Sequence, residues 1–296
     1  MALNNEVYLI DASIFVFRSY FAKDHDYYAN NGEPINAVYG FARFLTKFIH
    51  QTKAQNIACC FDESLESSFR NEIYPAYKAN REPAPDDLKR QFKLCQEVSK
   101  VLGVATYADG YYEADDLIGT LATYHQQKDK NITIISADKD LAQLLTENDK
   151  WWSYGKQEPL NSEGIYQKFG VMPNQIVDFL ALTGDSVDNI SGVPGIGEKT
   201  ASILLNHFKT LDEIIKRHQE IRYLSFRGAK SCQKKIAKHI DDAILARKLT
   251  TIKTDIPLAD YSVTRNNLDE KRLQALFEFL QFGPLLRRQI LDINRI

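Results

Sequence analysis

Residues 7–11 read VYLID, a short apolar and β-branched run that ends on an aspartate. The same pattern recurs as IACCFD at residues 57–62 and as ITIISAD at residues 132–138. Apolar runs of this length are typical of strands buried on both faces. Helical patterns separate the three runs, so the sequence predicts an α/β fold with a mainly parallel central sheet flanked by helices.

The aspartates that end these runs are Asp11, Asp62 and Asp138. Because the carboxyl ends of parallel strands meet at one edge of a sheet, we expect the three side chains to lie at the ligand-binding crevice. Six more acidic residues are grouped along the chain: Glu113, Asp115, Asp116, Asp140, Asp185 and Asp188. If the chain stays extended after Asp138, the side chains of Asp138 and Asp140 point the same way.

These nine carboxylates would repel one another strongly in a single pocket unless cations or protons were present. Hard divalent ions with oxygen ligands, Mg²⁺ or Mn²⁺, fit such a set, whereas zinc prefers Cys and His ligands. Two ions about 4 Å apart can clamp the attacking and leaving oxygens of a displacement at phosphorus. The sequence therefore predicts a two-metal site for phosphodiester hydrolysis.

Acidic residues also cap helices and fill turns, and this alternative stays open for each of the nine. Asp115 and Asp116 can simply favour a helix N-terminus through its dipole. That explanation is weaker for aspartates that end three apolar strands. The chain carries a formal charge of −2, and setting aside the nine negative charges leaves +7. A basic remainder suits a protein that binds a polyanion.

The composition is that of a globular protein, with 44% hydrophobic and 26% charged residues among 296. No apolar run approaches the roughly 18 residues of a membrane span, and no secretory signal pattern opens the chain. We therefore expect a cytoplasmic protein. The four cysteines form no CxxC pair and no zinc-ligand spacing, so we expect reduced packing residues.

Residues 69–85, FRNEIYPAYKANREPAP, mix basic and aromatic side chains and contain three prolines, which limit regular structure. Lys78 and Arg81 lie three apart and are flanked by Tyr74 and Tyr77. A cation near the scissile phosphate would stabilise the transition state, and a ring can stack on an unpaired base. The alternative is a solvated charged loop with half-buried tyrosines.

The stretch SGVPGIGEKTA at residues 191–201 predicts a glycine-rich hairpin followed by a helix over residues 198–208. Backbone N–H groups at such a turn, with Lys199 and Thr200, can bind phosphate. An ordinary connection between two helices is the alternative. The spacing is not that of a nucleotide P-loop, so ATP is not implied. Basic residues between 230 and 248 either line a duplex or form a solvated helix face.

In combination and order, these motifs resemble the 5′ nuclease family, which comprises flap endonucleases and the N-terminal 5′-3′ exonuclease domain of bacterial DNA polymerase I. The resemblance covers almost the whole chain, from LIDASIFVFRSYFA through FRNEIYPAYKANR, YYEADDLIGTLA and SADKDLAQLL to ALTGDSVDNISGVPGIGEKTA. No polymerase region follows, so we expect a free-standing member.

The resemblance implies a PIN-like flap endonuclease core, a helical arch and a helix-hairpin-helix (helix-three-turn-helix) DNA-binding region. We expect the catalytic core to span residues 1–170, with the arch at about 64–100. Residues 171–260 would form the DNA-binding region, and residues 261–296 a C-terminal helical segment packed on the core.

The same resemblance assigns roles to individual side chains. The first metal site would comprise Asp11, Asp62, Glu113, Asp115 and Asp116, and the second Asp138, Asp140, Asp185 and Asp188. Catalysis would depend mainly on Asp11, Asp62 and Asp115, with Lys78 and Arg81 assisting at the phosphate. The implied DNA-binding residues are Arg70, Tyr77, Gly192, Gly195, Ile196, Gly197, Glu198, Lys199 and Thr200. A K⁺ ion at the hairpin would take backbone carbonyls of Leu182, Thr183, Ser191, Val193 and Ile196.

The function implied is a 5′-3′ exonuclease and flap endonuclease that uses two Mg²⁺ or Mn²⁺ ions to cut DNA in replication and repair. The products would carry a 5′-phosphate and a 3′-hydroxyl. We expect a monomer whose substrate is duplex DNA with a 5′ single-stranded flap or end, with a polymerase as a candidate partner. A ribonuclease on the same core and a non-catalytic DNA-binding scaffold are the rival interpretations.

Overall fold

A computed structural model of the chain describes residues 5–22, 26–64 and 68–295. The described residues fall into two compact units, and each unit is built from separate stretches of sequence. Unit 1 takes its residues from Met1–Glu66, Pro83–Ala137 and Lys253–Ile296, and unit 2 from Ser67–Glu82 and Asp138–Ile252.

Unit 1 contains a parallel sheet, and its strands lie in the order β3-β2-β1-β4. The strands are β1 (Glu6–Asp11), β2 (Ile57–Asp62), β3 (Ala105–Asp109) and β4 (Asn131–Ile135). The predicted parallel sheet is confirmed. The sequence did not predict β3, because its five residues are all only partly buried and form no apolar run.

The helices of unit 1 pack on this sheet and on one another. They are α1 (Ala12–Tyr20), α2 (Asn36–Thr52), α4 (Asp86–Val101), α5 (Ala114–Gln126), α12 (Glu270–Leu280) and α13 (Pro284–Leu291). Helix α5 contacts all four strands, α4 contacts β2 and β3, and α2 packs against α1 and α4. The α/β class predicted from the alternation of patterns is confirmed.

Strand β4 ends earlier than the apolar run suggested. It stops at Ile135, which pairs with Ile10, so Ser136 comes to lie beside Asp11. After Ser136 the chain turns, and Asp138 Oδ1 accepts a hydrogen bond from the Asp140 N–H at 2.9 Å. The extended path on which the joint direction of Asp138 and Asp140 depended is therefore not present, because a short polar side chain here bonds the backbone and favours a turn.

Unit 2 is mainly helical. Its helices are α3 (Phe69–Ile73), α6 (Ser162–Phe169), α7 (Ile176–Thr183), α8 (Glu198–Phe208), α9 (Leu211–Lys216), α10 (Ala229–Lys238) and α11 (Ile240–Thr250), and β5 covers Lys150–Trp152. Helix α11 packs on α7, which packs on α8. The helix predicted over residues 198–208 is confirmed by α8. Residues 74–82, after α3, form turns.

A helix-hairpin-helix arrangement is formed by α7, the following loop and α8. The loop is closed by reciprocal backbone hydrogen bonds between Asp185 and Ile190 at 2.8 and 2.7 Å. Gly192 has a φ of +55°, and a Cβ there would lie 2.2 Å from the Gly184 nitrogen. Only glycine fits at such a close approach with positive φ. The predicted glycine-rich hairpin is confirmed.

The predicted arch, at about residues 64–100, includes α3, the turns that follow it and α4, while residues 65–67 lie outside the described part of the chain. Its role as an arch stays a prediction, as does the division into three functional segments. The four cysteines are buried and free, as expected. Among the described residues, no helix is both long and apolar enough to span a membrane.

Candidate active site

Asp11 and Asp62 are the last residues of the neighbouring strands β1 and β2. Asp11 is only 4% exposed, and its Oδ2 accepts a hydrogen bond from Ser136 Oγ at 2.8 Å. The Asp62 N–H donates to Ser13 Oγ at 3.0 Å. The two serines hold the ends of the strands in place, so the two carboxylates lie at one edge of the sheet, as predicted.

The N-terminus of α5 is capped by acidic side chains. Asp62 Oδ1 accepts a hydrogen bond from the Ala114 N–H at 2.9 Å, and Glu113 occupies the N-cap position. Asp116 is fully buried, and its two oxygens accept backbone N–H bonds from Glu113 at 3.2 Å and Lys253 at 2.9 Å. The capping alternative is therefore observed for Asp116, and its role as a metal ligand stays a prediction.

The charges of three unit 1 carboxylates affect the pKa of one thiol, that of Cys60 near the end of β2. Burial raises the pKa of Cys60 well above its ordinary value, and the charge of Cys59 raises it further. The charges of Asp11, Asp115 and Asp62 add to this effect. Asp115 lies in the first turn of α5, and Asp62 bonds the N–H of Ala114, the first residue of that helix. The joint role of the three carboxylates as metal ligands stays a prediction.

The second group of predicted ligands lies in unit 2. Burial raises the pKa of Asp138, and the charges of Asp188 and Asp185 raise it further. The pKa of Asp140 is raised well above its ordinary value by burial, then by Asp138, with smaller contributions from Asp185 and Asp188. The four carboxylates therefore form a mutually repelling cluster, which we call the unit 2 carboxylates.

Lys139 is the counter-ion of this cluster, and the sequence argument missed it. Its Nζ lies 3.0 Å from Asp185 Oδ2 and 3.8 Å from Asp140 Oδ1. The signal was present in SADKD, where a lysine stands between two of the aspartates. Asp140 Oδ1 is buried and accepts no hydrogen bond from any described residue. A buried carboxylate oxygen in this state is suited to a bound cation.

Asp188 joins the basic segment to the loop after α7. Its Oδ1 lies 2.5 Å from Arg81 Nη2, and its Oδ2 accepts a hydrogen bond from Tyr77 Oη at 3.0 Å and lies 3.8 Å from Lys78 Nζ. The Lys78 N–H donates to the Asp188 carbonyl at 3.0 Å. The structure thus places Lys78 and Arg81 beside a predicted metal ligand. Tyr77 is 4% exposed, so little of its ring is free, and its contact with DNA stays a prediction.

Arg70 is buried at 3% exposure. Its Nε donates to the carbonyl of Leu249 at 2.8 Å and its Nη2 to that of Thr251 at 3.3 Å, which are the last turn and C-cap of α11. A cation at the C-terminal end of a helix is favourable. The predicted contact of Arg70 with DNA stays a prediction, and the burial of its guanidinium group stands against it.

The residues of the predicted phosphate contact at the hairpin differ in exposure. Gly195, Gly197, Glu198 and Lys199 are exposed, and Thr200 is half-buried, whereas Gly192 and Ile196 are buried. Lys235 of α10 donates to the Gly195 carbonyl at 3.0 Å and so supports the turn. These positions fit the predicted phosphate contact through backbone N–H groups.

Two of the five carbonyls predicted to hold K⁺ already accept backbone hydrogen bonds. The carbonyl of Leu182 accepts from Val193 N–H at 3.0 Å, and that of Val193 accepts from Ile196 N–H at 3.0 Å. A carbonyl oxygen has two lone pairs, so a second partner is allowed. The potassium site stays a prediction.

The basic run after residue 230 divides into two kinds of residue. Arg247 is paired with Asp212 at 2.9 Å and with Asp178 at 3.8 Å, which makes it part of the packing of α7, α9 and α11. Lys235 is half-buried and bonds the Gly195 carbonyl, whereas the exposed members of the run are Lys230, Lys234, Lys238 and Lys248. Only the second kind is available to bind a duplex.

Within the described ranges, no three Asp, Glu, His or Cys side chains stand at the spacing of a formed metal site. Lys139 and Arg81 are bound to carboxylates that an ion would otherwise contact. The residues nevertheless fit a hard cation, because the donors are all carboxylates and Asp140 Oδ1 accepts no hydrogen bond. The individual ligand assignments stay predictions.

Comparison with known protein families decides which family this is. Residues 6–170 match the N-terminal resolvase-like domain of 5′-3′ exonucleases, and residues 171–272 match their C-terminal SAM fold. The chain belongs to the 5′-3′ exonuclease family. This membership confirms the resemblance seen in the motifs.

Two curated relatives illustrate how the chain covers members of the family. It is 36% identical over 260 residues to the 5′-3′ exonuclease of Buchnera aphidicola subsp. Acyrthosiphon pisum (strain APS), covering 86% of this chain and 89% of the relative. It is 36% identical over 280 residues to the thermostable DNA polymerase I of Thermus caldophilus, covering 95% of this chain. The chain spans only 32% of the length of that polymerase.

Solved structures support the fold of this exonuclease family member. T5 5′-exonuclease with bound zinc ions matches with a TM-score of 0.68 at 19% identity, covering 98% of this chain and 99% of the other. The catalytic core of Rad2 in complex with DNA substrate matches with a TM-score of 0.64 at 16% identity, covering 98% and 92%. At these identities the likeness concerns the fold, which is that of flap nucleases.

Proposed function

We propose that this protein is a metal-dependent 5′-3′ exonuclease and flap endonuclease that hydrolyses DNA phosphodiester bonds near 5′ ends. The observation that carries the proposal is that Asp11 and Asp62 end neighbouring parallel strands at one edge of the sheet. Asp62 also caps helix α5, in whose first turn Asp115 lies. In open parallel sheets this edge is where ligands bind. Carboxylates of this kind serve phosphodiester hydrolysis by holding divalent ions.

The proposed ligands of one Mg²⁺ or Mn²⁺ ion are Asp11, Asp62, Glu113, Asp115 and Asp116. Those of a second ion are the unit 2 carboxylates. When bound, such ions lower the pKa of a coordinated water and neutralise charge on the phosphate. The T5 5′-exonuclease binds divalent metal ions, which supports a metal in this chain. The hard carboxylate donors favour magnesium over zinc.

The roles of the protein's own cations follow from their positions. Lys78 and Arg81 are held by Asp188, so they would lie beside a phosphate bound at the unit 2 carboxylates. Positive charges held there would stabilise negative charge as it develops on the phosphate oxygens. Lys139, which pairs with Asp185 and Asp140, would supply a further positive charge beside such a phosphate.

The proposed duplex-binding surface is the hairpin together with the exposed lysines of α10. Backbone N–H groups at Gly195 and Gly197 would contact phosphates, and Lys230, Lys234 and Lys238 would extend the basic surface. Rad2 has been solved in complex with a DNA substrate, which supports DNA as the partner. A K⁺ ion at the hairpin, a role in replication and repair, a polymerase partner and a monomeric state belong to the same proposal.

A labelled 5′-flap DNA incubated with purified protein tests the proposal. We expect cleavage with Mg²⁺, none with EDTA, and none from an Asp115→Asn variant purified in parallel, which excludes a contaminating nuclease. The products should carry a 5′-phosphate and a 3′-hydroxyl. Cleavage of an RNA flap in preference to DNA would favour a ribonuclease, and metal-independent binding without cleavage at any metal concentration would favour a scaffold.

A further inference from the structure

A cavity of about 400 Å³ opens in unit 1 at the edge of the sheet where the strands begin. Its lining includes Val7, the second residue of β1, together with Asn56 just before β2 and Lys130 just before β4. We call it the amino-edge pocket. A strand rises about 3.3 Å per residue, so Val7 lies roughly 13 Å from Asp11 at the carboxyl edge. Small-molecule sites have volumes of about 300–1,000 Å³, and this pocket is within that range.

The end of α5 places two lysines in the lining of this pocket. The Lys130 N–H donates to the His125 carbonyl at 3.1 Å, and Asp129 has a φ of +56°. A left-handed residue with such a hydrogen bond reverses the chain at the end of a helix, so Lys128 and Lys130 stand one residue before and one after the reversal. Among the described residues of the lining, two lysines and one aspartate, Asp260, give a net charge of +1. The pocket therefore favours an anion.

An aromatic pair contributes an apolar surface to the same pocket. The rings of Tyr124 and Tyr261 are stacked with their centroids 4.3 Å apart. Lys128 Nζ lies 3.9 Å from the centroid of the Tyr124 ring and donates to its hydroxyl at 2.5 Å. The ammonium group is thus held in position, which reduces the entropy lost when it binds an anion. Val7 and Val263, both buried, add aliphatic surface.

Polar groups from other stretches of the chain complete the lining. His125 Nε2 lies 2.8 Å from the Tyr261 carbonyl, which joins the end of α5 to residues 260–264. Because a carbonyl oxygen only accepts, Nε2 carries a proton, and Nδ1 is an acceptor in the neutral ring. Asn56, Ser262 and Thr264 add an amide and two hydroxyl groups. Apolar surface with a few convergent polar groups is typical of a site that orients a small ligand.

From this arrangement we propose that the amino-edge pocket binds a nucleoside 5′-monophosphate, with its phosphate between Lys128 and Lys130 and its nucleoside against Tyr261 and Val263. Charge-assisted hydrogen bonds from two ammonium groups suit a phosphate monoester. The source of this ligand rests on the proposed function, because cleavage that leaves 5′-phosphates releases such monophosphates from a strand end. The pocket is then a product-binding site that is separate from the carboxylates of the opposite edge.

Calorimetric titration of the full chain with thymidine 5′-monophosphate tests this inference. EDTA is present throughout, so that no divalent ion can hold the phosphate at the carboxylates. We expect saturable binding at one site. Inorganic phosphate and thymidine should each bind at least about tenfold more weakly, because each keeps only part of the contacts and a hydrogen bond to a charged group contributes that much.

A Lys128→Met/Lys130→Met double variant locates the site. Methionine keeps a long side chain and removes only the charge. The matched control is Lys47→Met, which removes an exposed lysine of α2 in the same unit. We expect the double variant to bind thymidine 5′-monophosphate at least about tenfold more weakly than the parent, and the control to bind it with the parental affinity.

The imidazole of His125 gives a second readout, by NMR titration with a His125→Gln variant to assign its resonance. Burial lowers the pKa of His125, and the charges of Lys128 and Lys130 lower it further, against the effect of the hydrogen bond to Tyr261. Asp260 is the acidic group that faces the same pocket. A bound phosphate favours the charged imidazole, so thymidine 5′-monophosphate should raise this pKa in the parent and leave it unchanged in the double variant.

Equal affinity for thymidine 5′-monophosphate in the double variant and the Lys47→Met control would overturn the inference. Inorganic phosphate that binds as tightly as the nucleotide, or a pKa of His125 that the nucleotide leaves unchanged in the parent, would also overturn it. If the parent never cut a 5′ flap with Mg²⁺, the proposed function would fail, while the titrations in EDTA would still decide whether the amino-edge pocket holds a nucleotide.

Discussion

Replacing Lys139 by methionine should destabilise the metal-free protein and increase the stabilisation that Mg²⁺ provides. Lys139 is the cation of the unit 2 carboxylates, at 3.0 Å from Asp185 and 3.8 Å from Asp140, whose side chains are 10% and 14% exposed. Methionine keeps a long side chain and removes only the charge. The variant therefore leaves the carboxylates to repel one another unless a metal ion replaces the ammonium group.

The size of the effect follows from these distances. Two unit charges about 4 Å apart attract by about 4 kcal/mol at an effective dielectric constant of about 20. Breaking a buried pair costs about 3–5 kcal/mol. The Lys139 side chain is 32% exposed, so solvent screening lowers the expected loss to about 2–3 kcal/mol. At roughly 2–4 °C per kcal/mol for a chain of this size, the melting temperature should fall by ~5–10 °C.

Thermal unfolding followed by circular dichroism, in EDTA and across a Mg²⁺ titration, measures this effect. The control is Lys156→Met, which removes an exposed lysine of the same unit. Binding at 100 times the dissociation constant stabilises by about 2.7 kcal/mol, so Mg²⁺ should recover most of the loss in the Lys139 variant. Equal melting temperatures for the two variants in EDTA, or equal Mg²⁺ increments in the variant and the parent, would refute the reasoning.

Three further predictions concern side chains and turns of the site. Burial and the charge of Asp138 raise the pKa of Asp140, so in the folded protein this side chain keeps its proton at pH values above 3.8, where the unfolded chain has lost it. The free energy of unfolding without metal should therefore fall as the pH rises from 3.8 towards the raised pKa of folded Asp140. In urea unfolding with EDTA, Asp140→Asn should be more stable than the parent at pH 7 and as stable as the parent at pH 3. Equal stability of the two proteins at both pH values would contradict this prediction. Asp116→Ala should lower the free energy of unfolding by about 1–3 kcal/mol, because two part-buried N–H groups lose their buried acceptor. A loss below about 0.5 kcal/mol would show that the cap is unimportant. Gly192→Ala should weaken duplex binding at least about tenfold in anisotropy titrations and lower the melting temperature, because the added Cβ strains the hairpin. The control is Gly197→Ala, which should keep its fold because no atom lies within 4 Å of the added Cβ. Comparable melting temperatures for the two variants would be evidence against the close approach at Gly192.

The sequence predicted the parts of the site that depend on strands and periodicity. Asp11 and Asp62 follow apolar runs that are buried in β1 and β2, and parallel pairing then brings the ends of these runs together. The hairpin was predictable because its glycines are needed for close backbone contact. The start of α8 at Glu198 was predictable because this residue directly follows the glycine-rich turn.

Other features depend on the path of loops and on burial, which no local pattern encodes. Asp138 bonds the Asp140 N–H in a turn, so the extended path on which the joint direction of the two side chains depended is not present. The burial of Arg70 against the end of α11 joins residues 179 positions apart. Lys139 was overlooked because a lysine among aspartates also suits a solvated turn, and only the fold shows which carboxylates it contacts.

Single-turnover cleavage of a labelled 5′ flap by Asp62→Asn, with the dissociation constant measured on the same substrate, tests most directly whether the grouped carboxylates do the chemistry. Asparagine keeps an oxygen that can accept the Ala114 N–H, so the start of α5 should be preserved. We predict a rate at least ~100-fold below that of the parent with affinity changed less than about threefold, as for loss of a group that acts on the transition state. A variant that cuts the flap at the parental rate would contradict the account.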